Sequence, residues 1–197
     1  MRKFLLALLG LGGIALAAFL IFGPAWFDKQ TNMVDGKPLP EIRAEAQELH
    51  DSLMIVDLHG DTLLWKRKIT DSVDYGHIDL ERLEAGNVGL QIFSSVTKTP
   101  RGQNYDSNSA DTDNITALAI TQLQPVRTWF SLLERQLYHA QKLDKAVAAS
   151  GGRLASISQP AHLDRLDKSI GVLFSAEGLQ TLEGDRANLK KLYGAGM

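Results

Sequence analysis

The chain has 197 residues, 21 Lys and Arg against 23 Asp and Glu, and no cysteine. A net charge of -2 with 44% hydrophobic residues excludes a strongly basic nucleic-acid binder and an acidic disordered tail. Without cysteine there is no disulfide scaffold, thiol nucleophile or thiolate metal site, so a zinc ion here would have to use histidine and carboxylate ligands.

Behind Met1, Arg2 and Lys3 come 24 uncharged residues, 4–27, enough to cross a bilayer as a helix at about 1.5 Å per residue. Two readings compete. A cleaved signal peptide fits the small residues Ala15 and Ala17, and would leave a secreted or periplasmic protein. An uncleaved anchor is favoured, because Phe19, Leu20, Ile21 and Phe22 renew the apolar run and Trp26 stands where an interfacial aromatic would. Arg2 and Lys3 keep the N-terminus cytoplasmic, so both readings put everything after Phe27 in the periplasm or outside the cell. Gly10, Gly12 and Ala15 match a dinucleotide fingerprint, but no strand precedes them and they lie inside the apolar run.

Residues 28–40 are polar and punctuated by Pro and Gly, and are expected to form a linker. The domain expected over 41–197 begins with a helix at 41–53, where Ile42, Ala46, Leu49 and Leu53 recur at helical steps. Met54, Ile55 and Val56 then read as a strand buried on both faces, as in a parallel sheet. Asp79 caps a short helix to Ala85, residues 88–96 form a second strand, and the polar stretch 97–110 is a loop. Residues 111–150 read as helix broken at Pro125, and 153–157 as a short strand. A helix opened by Pro160 follows over 159–166, then a clear strand at 170–176 and a helix over 185–193. Alternating strands and helices predict an α/β fold with a parallel sheet. About 160 residues are too few to close a (β/α)8 barrel, which takes roughly 250.

Asp57, His59 and Asp61 alternate along the end of the first strand and so share a face. The C-terminal ends of parallel strands are where ligands gather, and an imidazole and a carboxylate two residues apart can grip one divalent cation, with Gly60 leaving room between them. A turn histidine followed by a capping aspartate would give the same string. Glu177 tips the balance, since it follows the strand 170–176 and would stand at the same end of the sheet. A carboxylate there can bridge two metal ions that activate a water for hydrolysis. His50, His139 and His162 fall on expected helices, where a solvated or locally paired role is expected, and His77 on a loop. Residues 106–111 imitate a calcium loop but lack its glycine, and neither a nucleophile elbow nor a phosphate-binding loop is present.

The blocks Asp57-Leu58-His59-Gly60-Asp61, His77-Ile78-Asp79-Leu80-Glu81-Arg82-Leu83, Gly86 to Ser94 and Glu177-Gly178, with Leu189-Lys190-Lys191-Leu192-Tyr193-Gly194 before the final Met197, resemble the membrane (renal-type) dipeptidase family of zinc peptidases. Their order and spacing span about residues 40–197. The resemblance implies the N-terminal part of a (β/α)8 TIM barrel of the metal-dependent hydrolase type, with a two-zinc centre that hydrolyses dipeptides. Carried over residue by residue, His59 and Asp61 would ligate one zinc and Glu177 would bridge both. The family's two further histidine ligands, its substrate-binding histidine and basic residue, and its late aspartate have no counterpart, so the chain is expected to be the first half of a dipeptidase, inactive by itself. The alternatives are another metal-dependent amidohydrolase and a non-catalytic half-barrel. A half-barrel leaves an open strand edge that invites pairing with another copy, so a homo-oligomer is also kept open.

Overall fold

A computed structural model describes residues 1–38, 40–166 and 168–197; Leu39, in the expected linker, lies outside them. Helix α1 (Arg2–Thr31) is apolar over most of its length and nearly all exposed, with only Pro24 and Asp28 buried. Helix α2 (Ala44–Ser52) comes next, and β1 (Ile55–Gly60) then runs into a 3-10 turn at Thr62–Leu64. A loop, α3 (Leu80–Ala85) and β2 (Val88–Val96) follow. Three helices come next: α4 (Ile115–Thr121), α5 (Arg127–Phe130) and α6 (Leu132–Ala149). The chain continues through β3 (Leu154–Ser156), a 3-10 turn at Pro160–Arg165, β4 (Ile170–Glu177), a 3-10 turn at Leu179–Leu182 and α7 (Ala187–Gly194).

All four strands are parallel, in the order β1-β2-β4-β3. β2 and β4 form the centre and pair without interruption from Leu90 opposite Gly171 to Val96 opposite Glu177. Their β-branched and aromatic residues suit a pleated surface buried beneath helices. β3 pairs only with the first residues of β4, Leu154 opposite Ile170 to Ser156 opposite Val172.

Helix α6 supplies most of the cover. Ser131 caps it by accepting from the Glu134 N–H at 3.1 Å, and Leu133, Gln136, His139, Ala140, Leu143 and Ala146 recur at three- and four-residue steps to form its buried stripe. Ala140, Leu143 and Ala146 pack with Leu63, Leu80, Phe93, Val172 and Phe174 in the main core. A smaller cluster of Leu64, Trp65, Val96 and Ile115 reaches out to Phe27 of α1.

Three sequence expectations need correction. The two helical pieces expected over 111–150 are three, because the backbone leaves the helical path at Leu123, just before Pro125, with φ +53°, and again at Ser131. β1 is not buried on both faces: Met54, Val56 and Leu58 are 72%, 40% and 69% exposed. It is an edge strand, paired with β2 alone among the described residues. The spacing of Trp129, Phe130, Leu133, Leu137 and Tyr138 in the sequence predicts an apolar packing stripe on one helix; Leu133 is buried, but Phe130 lies 85% exposed on the four-residue α5.

Candidate metal centre

His59 is the penultimate residue of β1, Asp61 follows the strand's end, and Glu177 closes β4. β1 and β4 are separated by β2, about 10 Å of sheet, a gap that a His and a Glu side chain can close from either side. His59 Nε2 lies 3.1 Å from Glu177 Oε2 and 3.3 Å from Asp61 Oδ2. One ligand atom from each of the three residues falls within 4.8 Å of the other two, the only such His, Asp and Glu group among the described residues. Asp57 does not join them. Its Oδ1 accepts the His59 backbone N–H at 3.0 Å, which stiffens the strand end instead.

Two glycines make the convergence feasible. A Cβ on Gly60 would stand 2.5 Å from Ile78 Cδ1 and 3.0 Å from Gln91 Nε2, so a larger residue between His59 and Asp61 would have to push these two side-chain ends aside. Gly178 has φ +81°, the left-handed region, and so turns the chain away immediately after Glu177. Between them, these turns hold the three side chains at one end of the sheet.

The site is electrostatically unfinished. Burial raises the Asp61 carboxyl above its ordinary range; the nearby His59 opposes that rise and the Glu177 carboxylate adds to it. Asp61 Oδ1 is buried with no hydrogen-bond partner. An orphaned carboxylate oxygen facing a second carboxylate is a costly arrangement in a dry protein, and a cation resolves it. One imidazole and two carboxylates form a donor set that zinc accepts, so these residues fit a metal of that kind.

Of the other four histidines, His77 is exposed and the remaining three are tied to neighbouring protein groups. His50 Nε2 is 3.2 Å from the Gly86 carbonyl, and both ring nitrogens of His162 meet neighbours at Ser158 and Gln159. His139, expected solvated or locally paired, is fully buried. Its Nδ1 lies 2.6 Å from Ser95 Oγ and its Nε2 3.2 Å from Gln124 Nε2, which can only donate; the imidazole is therefore neutral, protonated on Nδ1 and donating to the serine. Burial holds its pKa well below the usual histidine value, with Lys142 and Arg135 adding to the effect. The sequence signal for this burial was its place in the α6 stripe with Gln136 and Leu143. Lys142 went unnoticed for the same reason: it sits on an amphipathic helix, yet its ammonium reaches the Leu63 carbonyl at 2.7 Å and the Trp65 carbonyl.

A parallel α/β sheet with its polar side chains gathered at the C-terminal strand ends defines a class of proteins that hold ligands at those ends. Within that class the chain belongs to the membrane dipeptidase family (peptidase family M19), whose model matches residues 43–197. It is similar in fold to the crystal structure of dipeptidase AC, a metallopeptidase of the same family, with a TM-score of 0.51 and 18% sequence identity over 74% of this chain. The match spans 41% of that protein's length. No curated protein matches the chain.

Proposed function

We propose that this chain carries the first metal-holding part of a zinc-dependent membrane dipeptidase, with residues 1–27 as an uncleaved anchor, 28–40 as linker and 41–197 as the first half of a (β/α)8 barrel on the exported side of the membrane. The observation that supports it most is the convergence of His59, Asp61 and Glu177, with the other Asp61 carboxylate oxygen buried and without a partner, in a chain of the membrane dipeptidase family. His59 and Asp61 would hold one zinc, and Glu177 would bridge it to a second. When bound, such a metal pair polarises a peptide carbonyl and activates water for its hydrolysis.

The chain's own residues set the conditions for that chemistry. Asp61, partly withdrawn from water, supplies a carboxylate whose buried charge a bound cation would offset. Glu177 and His59, each about half exposed, leave the site open on the side from which a small peptide would enter. Three ligands suffice for one ion, and among the described residues no second group of this kind exists. The 197-residue chain is therefore expected to bind one zinc and to hydrolyse no dipeptide by itself.

Zinc competition against a chromophoric chelator, read together with a dipeptide hydrolysis assay, tests both statements. One equivalent bound, lost in His59→Ala and in Glu177→Gln, with no turnover, is the expected result. Unchanged zinc binding in both variants would remove the assignment of these ligands.

A further inference from the structure

The surface of the domain next to α1 carries a second feature, unrelated to the metal centre. We propose that the basic groove built by Lys66, Lys68 and Lys145 beside the end of α1 seats the phosphate groups of anionic membrane lipids. The proposal rests on the anchor reading given above and extends it to how the domain meets the bilayer.

The depth of the groove follows from α1. Twenty residues from Phe4 to Gly23 cover about 30 Å, the hydrocarbon thickness of a bilayer. Beyond Gly23 the helix is fastened to the domain at successive turns. Gln122 donates to the Pro24 carbonyl at 3.2 Å, Phe27 and Trp65 stack with ring centres 6.3 Å apart, and Asp28 is buried against Arg67 at 3.1 Å. Lys29 pairs with Asp74 at 2.7 Å, and the Gly76 N–H donates to the Asn32 carbonyl at 2.7 Å. Fastenings at Pro24, Phe27, Asp28, Lys29 and Asn32 join the C-terminal turns of the helix to the domain. Residues 24–31 rise about 12 Å, so the part of the domain that touches them lies at the level of the lipid headgroups.

A cavity of about 280 Å³ lies between α1 at Ile21, Pro24 and Ala25 and the domain at Lys66 and Arg67. On the far side of Lys66 and Arg67 a groove of about 320 Å³ is walled by Lys68, Lys142 and Lys145 as well, with no Asp or Glu in its lining. Arg67 is neutralised by Asp28, and Asp71, which borders the first cavity, is engaged by the Lys68 backbone N–H at 3.0 Å. Among the described residues, none of Lys66, Lys68, Lys142 and Lys145 has a carboxylate within 4 Å. Lys142 is engaged by the Leu63 and Trp65 carbonyls, which leaves the three exposed ammonium groups of Lys66, Lys68 and Lys145, with the Thr70 hydroxyl beside them, to suit a phosphate, which accepts from several donors at once. The lipid phosphate is favoured over free phosphate because Lys66 borders the cavity that touches Ile21, at the edge of the hydrocarbon.

The full chain, reconstituted in phosphatidylcholine vesicles with and without 30 mol% phosphatidylglycerol, is treated with a membrane-impermeant amine-acylating reagent, and each lysine is followed by mass spectrometry. Labelling of Lys66, Lys68 and Lys145 is expected to slow by about fivefold per lysine in the anionic vesicles, while Lys98 and Lys190 react equally in both. High salt should erase the difference. Equal labelling in the two vesicle types overturns the proposal, and so does equal protection by inorganic phosphate in phosphatidylcholine vesicles. A triple variant, Lys66→Gln with Lys68→Gln and Lys145→Gln, changes exposed positions only. It should lose the higher melting temperature that the parent chain shows in anionic vesicles. Extraction at pH 11 separates the two failures: a chain released from the vesicles defeats the anchor reading and this proposal with it, whereas a retained chain with unprotected lysines defeats this proposal alone.

Discussion

Asp61 Oδ2 lies 3.3 Å from His59 Nε2, while its Oδ1 is buried without a partner and Glu177 stands close by. Such a carboxylate costs stability in the metal-free chain, since burial and the second carboxylate both disfavour its charge. Asp61→Asn keeps the shape and removes the charge. The metal-free variant should therefore melt no lower than the parent and about 1 kcal/mol more stable at most. Zinc at a hundred times its dissociation constant should stabilise the parent by about 2.7 kcal/mol and the variant not at all. A zinc-induced shift in melting temperature that survives in Asp61→Asn would count against the residue as a ligand. Lys142 makes a different kind of residue-scale statement. Burial and the neighbouring Arg67 charge push its pKa down from 10.5 to about 7, with Asp28 opposing. Between pH 7 and 10.5 the unfolded chain binds a proton that the folded chain does not, so stability rises with pH by up to about 1.4 kcal/mol per unit and levels off above 10.5. Lys142→Met should flatten that rise in urea titrations at pH 7, 8 and 9; an unaltered slope would show that another group causes it.

At the scale of elements, β2, β4 and α6 were readable because each carries its own period: continuous apolar runs in the strands, and a buried stripe at three- and four-residue steps behind the Ser131 and Glu134 cap in the helix. The pieces around Pro125 were harder, since their ends are set by one buried side chain. Arg135 is fully buried and donates to the Thr128 carbonyl at 2.9 Å, to Thr116 Oγ1 at 2.8 Å and to the Thr97 carbonyl, with Asp113 at 3.5 Å. It thereby ties the end of β2, the start of α4, α5 and α6 together. Arg135→Met should cost about 3–5 kcal/mol in chemical denaturation, because it leaves Asp113 and two carbonyls without their cation. Arg135→Lys should recover little, since a single ammonium cannot reproduce the fork. A loss under about 1 kcal/mol in the methionine variant would mean that water replaces these bonds.

Across the whole molecule, the sheet brings His59 and Glu177, 118 positions apart in sequence, into contact, and the same sheet leaves β1 at an exposed edge. The other long-range joint is between α1 and the domain. Asp28 and the Arg67 side chain are 1% and 6% exposed, and Arg67 also donates to the Ile78 carbonyl at 3.1 Å. Asp28→Ala strands a buried guanidinium and should lower stability by about 3 kcal/mol or more, whereas the paired change Asp28→Leu with Arg67→Met should recover most of it. Thermal unfolding in detergent micelles measures both; equal losses in the single and double variants would show that packing rather than charge fastens the helix.

Local rules were enough to read the apolar N-terminal helix, the alternation of parallel strands and helices, and the two strand ends bearing His59, Asp61 and Glu177, because hydrophobic period, caps and turn residues act over fewer than a dozen neighbours. The same rules placed Asp57 beside His59 and Asp61, and the structure turns it back onto the strand's own backbone. Only the tertiary structure decided that His139 is sealed against Ser95, that Lys142 is drawn into carbonyls of the 3-10 turn after β1, and that α1 is fastened at its end beside a lysine groove. Each of these depends on which distant segments share a surface, and a surface between residues about forty to eighty positions apart leaves no period in the sequence that forms it.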